Sequence, residues 1–186
     1  LPIPNVEYKI NNPDDQGVGE IIVKGPNVML GYYNDPEATD NVFKKGWFYT
    51  GDLWYIDDDG FLYITGRCKS VIVTQNGKNI YPEEIEYYLN ASPLVKECIV
   101  LGVNYKGDKE TYVNAKLLPD IEAFKGYLNK DDISDTDIKK EFKKLISEVN
   151  KKLPNYKHIK DFKVVENEFE KTTTQKIKRF GNNLSM

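Results

Sequence analysis

Apolar and polar residues alternate over residues 6–10, stop at the turn cluster Asn11-Asn12-Pro13-Asp14-Asp15-Gln16-Gly17, and alternate again over 19–24, which predicts a β-hairpin. Gly25-Pro26 ends it, and Asn34-Asp35-Pro36 sets a cap and a proline where a short helix begins. Aromatic and β-branched residues alternate with polar ones over 52–57 and 61–65, with Asp58-Asp59-Gly60 as hairpin turn chemistry between them. After Gly66 the composition changes. Residues 70–74 read as a β-branched strand, 75–79 as a tight turn, and Pro82 as the first position of a helix with Ile85, Tyr88 and Leu89 on one face. Strands over 97–103 and 111–118 flank the loop 104–110 as an antiparallel pair. The clearest helix covers 135–153: Ile138, Phe142, Leu145, Ile146, Val149 and Leu153 form one stripe, Asp135 or Asp137 caps its start, and the lysines and glutamates opposite read as a solvated face. A last strand over 162–165 precedes a polar tail. The pattern is that of an α+β chain.

With 186 residues the chain holds one domain or two small ones, and a hydrophobic content of 40% supports a core. The net charge of -3, with 30% charged residues, supplies no basic stripe and argues against a long nucleic-acid partner. No apolar run is long enough to span a bilayer, which leads to an expected cytoplasmic setting, with peripheral attachment to the inner membrane face left open. Cys68 and Cys98 stand far apart without a CxxC motif and His158 is the single histidine, so neither a disulfide framework nor a metal site is expected. Both thiols are expected reduced and buried, and His158 solvent-facing. The chain opens on Leu1 and runs directly into strand-like sequence, so it is expected to be part of something longer.

The chemistry concentrates in residues 46–86, GWFYTGDLWYIDDDGFLYITGRCKSVIVTQNGKNIYPEEIE. The ribbon puts Asp52 and Arg67 at its two open ends, each after a glycine, Gly51 and Gly66, where the backbone bends or approaches a ligand closely. A carboxylate accepts two hydroxyl donors at once, as a ribose diol offers, and a planar guanidinium suits phosphate oxygens. Equally, the two residues are placed to pair with each other across a surface ribbon. Near the end, Glu170-Lys171-Thr172-Thr173-Thr174-Gln175-Lys176-Ile177-Lys178-Arg179 carries four cations and, on charge alone, is a basic tail.

The order of these residues is more informative than their types. Tyr49-Thr50-Gly51-Asp52-Leu53, then Gly66-Arg67 with Lys69, then Asn76-Gly77-Lys78-Asn79-Ile80-Tyr81-Pro82-Glu83-Glu84-Ile85-Glu86 resembles the C-terminal part of the AMP-forming acyl-CoA synthetase family, and the tail resembles that family's closing motif. The resemblance implies a β-rich subdomain of a large AMP-binding lobe at 1–66, followed by a small mobile α/β domain at 67–186. It implies ATP/AMP, coenzyme A and Mg2+ as cofactors and a small-molecule carboxylate as substrate, with the Mg2+ ligands outside this chain and the N-terminal large lobe of the same protein as its missing partner. It assigns the nucleotide to Thr50, Asp52 and Arg67, the hinge to Lys69, the coenzyme A channel to Gly77 and Lys78, and the catalytic role to Lys176. An ammonium on a flexible stem suits charge developing between a carboxylate and the α-phosphate. Gln175 stands where the family usually has glycine, which puts the usual shape of that loop in question. No GxxxxGK[ST] loop and no acyl pocket are present, so the fragment alone is expected to be inactive. The motifs look closest to fatty acyl-CoA ligases. An adenylation domain loading a carrier protein, or a non-enzymatic binding or regulatory module, remain as alternatives.

Overall fold

The first hairpin forms from β1 (Glu7–Asn11) and β2 (Gly19–Lys24), paired antiparallel in a computed structural model that describes residues 3–105 and 110–179. The chain divides into two compact units, Leu1–Lys69 and Ser70–Met186. In the first, α1 (Pro36–Val42) starts as its sequence predicts: the Asp35 side chain accepts the Ala38 N–H at 2.9 Å and Pro36 opens the helix. Then β3 (Phe43–Lys44), β4 (Trp47–Ile56) and β5 (Leu62–Arg67) complete an antiparallel sheet of five strands. β4 is longer than expected and lies between β2 on one side and β3 and β5 on the other. Among the described residues, the buried apolar side chains of this unit are Val18, Ile21, Ile22 and Leu53, while Leu30, Tyr33, Phe61 and Ile64 are exposed.

A 3-10 turn, Cys68–Ser70, straddles the boundary between the units and shortens the expected strand over 70–74 to β6 (Ile72–Val73). β6 pairs with β7 (Asn79–Ile80), and α2 (Pro82–Asn90) follows with Ile85 and Leu89 fully buried. β8 (Val95–Asn104) and β9 (Thr111–Pro119) form the predicted antiparallel pair; residues 106–109 of the loop between them lie outside the described residues. β10 (Ile159–Val164) adds to the other edge of β9 in parallel. The crossover contains α3 (Ile121–Leu128), which the hydrophobic pattern did not bring out, and α4 (Asp135–Lys152).

Strand alternation sorts the side chains of this sheet. Cys98, Val100, Val113, Ala115 and Leu117 join a core with Ile85 and Leu89 of α2, Phe124 of α3 and Phe142 and Val149 of α4. Phe124 and Phe142 are fully buried and meet edge to face, their ring centroids 5.5 Å apart. Ile99 and Leu101 point the other way and are covered by the end of the chain through Val165, Phe169 and Ile177. β8 is therefore covered on both faces.

Four smaller expectations change. Ser134, not Asp135 or Asp137, caps α4: its hydroxyl accepts the Asp137 N–H at 3.2 Å, and Asp137 reaches back to the Ser134 N–H at 3.3 Å. The charged face of α4 is not wholly solvated, since Glu141 is buried and paired with Lys144 at 2.8 Å. His158 is half-buried, with Nε2 3.0 Å from the Leu153 carbonyl, because it closes the 3-10 turn Asn155–Lys157 just before β10. Both cysteines are free, but Cys68 is half-buried where Cys98 is buried. No described helix is long and apolar enough to cross a membrane.

Candidate functional site

Asp52 is set by a bulge. Between the register pairs Glu20–Leu53 and Ile22–Tyr49, the three residues Thr50, Gly51 and Asp52 oppose Ile21 alone. Gly51 takes a left-handed φ of 74°, which a Cβ would strain. The Thr50 hydroxyl donates to the Ile21 carbonyl at 2.8 Å and accepts the Asp52 N–H at 3.1 Å, while Glu20 accepts the Gly51 N–H at 2.8 Å. Sequence reasoning missed Glu20, because its role depends on a residue 31 positions away.

On the far side of β4, Asp52 is in register with Arg67, and Arg67 Nε lies 2.7 Å from Asp52 Oδ1. Asp52 and Arg67 are thus the outermost pair of the β4–β5 ribbon, side by side at its open end as the sequence suggests, while β4 itself runs on beyond that end to Trp47. The Arg67 side chain is 57% exposed and that of Asp52 33%, so both remain within reach of solvent and of a ligand. Cys68 follows directly, and burial, then the Glu20 carboxylate, push its thiol up from its ordinary value. Lys69 is the last residue of this unit, inside the 3-10 turn Cys68–Ser70.

In the second unit, Gly77 and Lys78 occupy the β6–β7 turn. The Thr74 N–H donates to the Lys78 carbonyl at 3.0 Å, the Gly77 N–H to the Thr74 carbonyl at 2.9 Å, and Gly77 has a φ of 72°. This is a type I turn closed by a left-handed residue. Lys78 Nζ stands 4.6 Å from the centroid of the Tyr156 ring. A cleft of about 190 Å³ opens beside the turn, lined in part by Gln75, Asn76, Lys78, Tyr112, Tyr156 and Lys160.

Lys176 sits in a turn of the same construction. The Thr172 N–H donates to the Lys176 carbonyl at 2.8 Å, the Gln175 N–H to the Thr172 carbonyl at 2.9 Å, and the Lys176 N–H to the Thr172 hydroxyl at 3.2 Å, matching the Lys78 N–H on the Thr74 hydroxyl at 3.0 Å. Asp14–Val18 and Asp57–Phe61 close in the same way, with Gly17 and Gly60 left-handed. At the position those three turns fill with glycine the fourth has Gln175, which takes a φ of 62°. Gln175 thus holds a side chain in the left-handed conformation that glycine takes in the other three turns, a conformation disfavoured for an L-residue. Lys176 is exposed at its tip.

The structure brings Thr50, Asp52 and Arg67 together in the first unit and carries Gly77, Lys78 and Lys176 on two turns of the second. Among the described residues no group of three or more His, Cys, Asp or Glu side chains is arranged to hold a metal ion.

Residues 69–181 match the family model described as the AMP-binding enzyme C-terminal domain. The long-chain-fatty-acid–CoA ligase FadD15 of Mycobacterium tuberculosis is 35% identical over 96% of this chain, which covers 30% of that protein. A long-chain-fatty-acid–CoA ligase of Escherichia coli O6:H1 is 45% identical over 55% of this chain and 19% of its own. Among solved structures, O-succinylbenzoate coenzyme A synthetase (MenE) from Bacillus subtilis, in complex with ATP and magnesium ion, superposes with a TM-score of 0.70 at 32% identity, over 95% of this chain and 33% of that one. The chain thus spans about a third or less of the length of these relatives.

Proposed function

The chain belongs to the AMP-binding, adenylate-forming enzymes and contains their C-terminal domain, and from that premise we propose that the whole protein is a fatty acid–CoA ligase working in the cytoplasm. In the first half-reaction a fatty carboxylate attacks the α-phosphorus of ATP, giving acyl-AMP and pyrophosphate. In the second, the thiol of coenzyme A attacks the acyl carbonyl, giving the thioester and AMP. The substrate class rests on the fatty-acid ligase that is similar over 96% of this chain.

Asp52 accepts the ribose hydroxyls and Arg67 meets phosphate oxygens, with Thr50 holding the bulge that aims them. Lys176 stabilises the charge that develops between the carboxylate and the α-phosphate, acting electrostatically and not as a nucleophile. Residues 1–66 belong to the large lobe, residues 67–186 are the mobile domain, and Lys69 absorbs the backbone change as that domain turns between half-reactions. The Gly77 turn, with Lys78, then lines the path of the pantetheine arm. Mg2+ enters with ATP as part of the substrate. Lacking a phosphate loop and an acyl pocket, the 186-residue chain alone forms no acyl-adenylate.

The observation that carries the reading is a lysine exposed at the tip of a closed turn in one unit and an accessible Asp52–Arg67 pair on a bulged strand in the other. The test runs both half-reactions on the full-length enzyme, supplying acyl-AMP directly for the second. Lys176→Ala is expected to slow adenylation about 10²–10³-fold and to spare thioester formation. Lys69→Pro, which fixes φ at the hinge, is expected to spare adenylation and slow thioester formation. Equal loss in both halves for Lys176→Ala, or normal thioester formation in Lys69→Pro, refutes the two-position account.

A further inference from the structure

We infer that Arg179 and Glu86 are positioning residues for Lys176, forming a latch that fixes the closing hairpin against α2 and β8. The inference rests on the role proposed above for Lys176 and deepens it. Lys176 closes a turn whose hydrogen bonds, between Thr172 and Lys176 and between Thr172 and Gln175, are internal to the hairpin, so its position is set by whatever holds the two stems. On the first stem, Phe169 is buried, its N–H donates to Glu97 at 3.1 Å, and Lys171 pairs with Glu97 of β8 and with Glu168. The second stem is held by Arg179, three residues past Lys176.

The arrangement around Arg179 is reciprocal. Glu86 Oε1 accepts the Val100 N–H at 2.7 Å, while Arg179 Nη1 donates to the Val100 carbonyl at 3.3 Å. Arg179 Nη2 and Glu86 Oε2 then pair at 2.5 Å, and Glu83 lies 3.4 Å from the same nitrogen. One helix, one strand and the closing segment are thereby joined at a single residue, Val100. Both charged groups are largely withdrawn from water, with the Glu86 side chain 13% exposed and that of Arg179 26%. Ile177, between the latch and the lysine, packs with Ile99, Leu101 and Phe169, so a shift of Arg179 is passed to the turn and not absorbed in a loose stretch.

Burial pushes the Glu86 carboxyl above its ordinary range even though the Arg179 charge, the Val100 N–H and the Arg179 hydrogen bond all oppose the rise and only the Glu83 charge adds to it. A group raised in this way contributes stability at low pH that is lost as the pH rises through its folded value, so charged Glu86 is a cost at neutral pH. A planar fork held between a carboxylate and a carbonyl does supply direction, which an aliphatic contact at the same place would not.

The experiment is a double-mutant cycle on the full-length enzyme, reading the maximal rate of acyl-AMP formation at saturating ATP and carboxylate together with thioester formation from supplied acyl-AMP. Arg179→Met is expected to slow adenylation about 10–100-fold, the scale of a misplaced catalytic group, with thioester formation within about twofold of wild type as evidence of folding. In a Lys176→Ala background the same change is expected to have no further effect, because it acts through the lysine. Glu86→Gln is expected to give a smaller loss with the same pattern. Arg179→Lys, which keeps the charge and loses the fork, stands in if Arg179→Met does not fold and is expected to lie between it and wild type. Equal slowing of both half-reactions by the latch variants, no slowing at all, or an undiminished effect of Arg179→Met without Lys176 overturns the latch while leaving the lysine's role intact. Unchanged adenylation in Lys176→Ala alone overturns the reading on which the latch rests.

Discussion

Gln175→Gly isolates the conformational cost of the turn that presents Lys176. Gln175 holds a φ of 62°, and an L-residue in the left-handed region carries about 1–2 kcal/mol of strain. Glycine removes that strain but loses about 0.5–1 kcal/mol more chain entropy on ordering. The difference stabilises the closed turn by roughly 0.5–1 kcal/mol, or about two- to fivefold in its local opening equilibrium. Gly77 supplies the mirror experiment. A Cβ there would meet nothing within 4 Å, and its φ is 72°, so Gly77→Ala opens the β6–β7 turn by about the same factor, through the backbone alone. The assay is native-state hydrogen exchange at two equivalent amides, the Thr172 N–H on the Lys176 carbonyl and the Thr74 N–H on the Lys78 carbonyl. Protection at Thr172 is expected to rise in Gln175→Gly, and protection at Thr74 to fall in Gly77→Ala. If Thr172 exchanges at an unchanged or faster rate in the glycine variant, Gln175 is unstrained and the likeness of the two turns is superficial.

Three further outcomes are expected. In the full-length enzyme Asp52→Ala removes an acceptor of charge-assisted hydrogen bonds worth about 1.5–3 kcal/mol each, so the KM for ATP should rise more than tenfold; an unchanged KM would leave Asp52 only a ribbon ion-pair partner. Ser134→Ala should cost about 1 kcal/mol in thermal or denaturant unfolding. The Ser134 hydroxyl, then Lys130, hold the Asp137 carboxyl below its ordinary value, so the stability it contributes is present above about pH 4 and lost as the pH falls through the depressed value; the gap between wild type and variant should close in acid, and a gap independent of pH refutes that linkage. Burial pushes the Cys98 thiol up to about 12, so it stays protonated and should resist iodoacetamide at pH 8 while half-buried Cys68 is labelled faster. Its contribution to stability is present below its ordinary value and lost as the pH rises toward about 12, and a Cys98→Ala variant with the same alkaline loss would count against it.

Hairpins were the most legible part of the fold, because turn residues and strand alternation lie within a few positions of each other: the turns at Asp14–Gly17, Asp57–Gly60 and Thr74–Gly77 all carry glycine where the backbone needs it. The helix α3 went unnoticed although Ile121, Phe124 and Leu128 share a face and Asp120 caps it; eight residues with a glycine inside give a weak periodic signal. Residues 70–74 have strand propensity throughout, yet the 3-10 turn at Cys68–Ser70 leaves only two of them in a ladder. That β10 runs parallel to β9 is a matter of topology, on which local pattern is silent. The candidate site divides in the same way. Asp52 and Arg67 could be matched through one short ribbon, whereas Glu20 acts on a residue 31 positions later and Glu86 on one 93 positions later. A carboxylate buried by distant chain looks, in the sequence, like any other surface charge.

The latch also sets an order of events during synthesis. Its holders, Glu83 and Glu86 on α2 and Glu97 on β8, leave the ribosome some 75 to 95 residues ahead of Lys171 and Arg179, at a translation rate of about 5–20 residues per second several seconds earlier. The helix-covered face of the β8–β9–β10 sheet closes without the hairpin, because among the described residues its core draws on nothing beyond Val164. The opposite face, with Ile99 and Leu101, waits for Phe169 and Ile177 to cover it. Until Phe169 and Ile177 dock, a partly made chain holds a folded sheet with a bare apolar face at Ile99 and Leu101 and no positioned lysine, so that face is its most exposed point for association with other apolar surfaces.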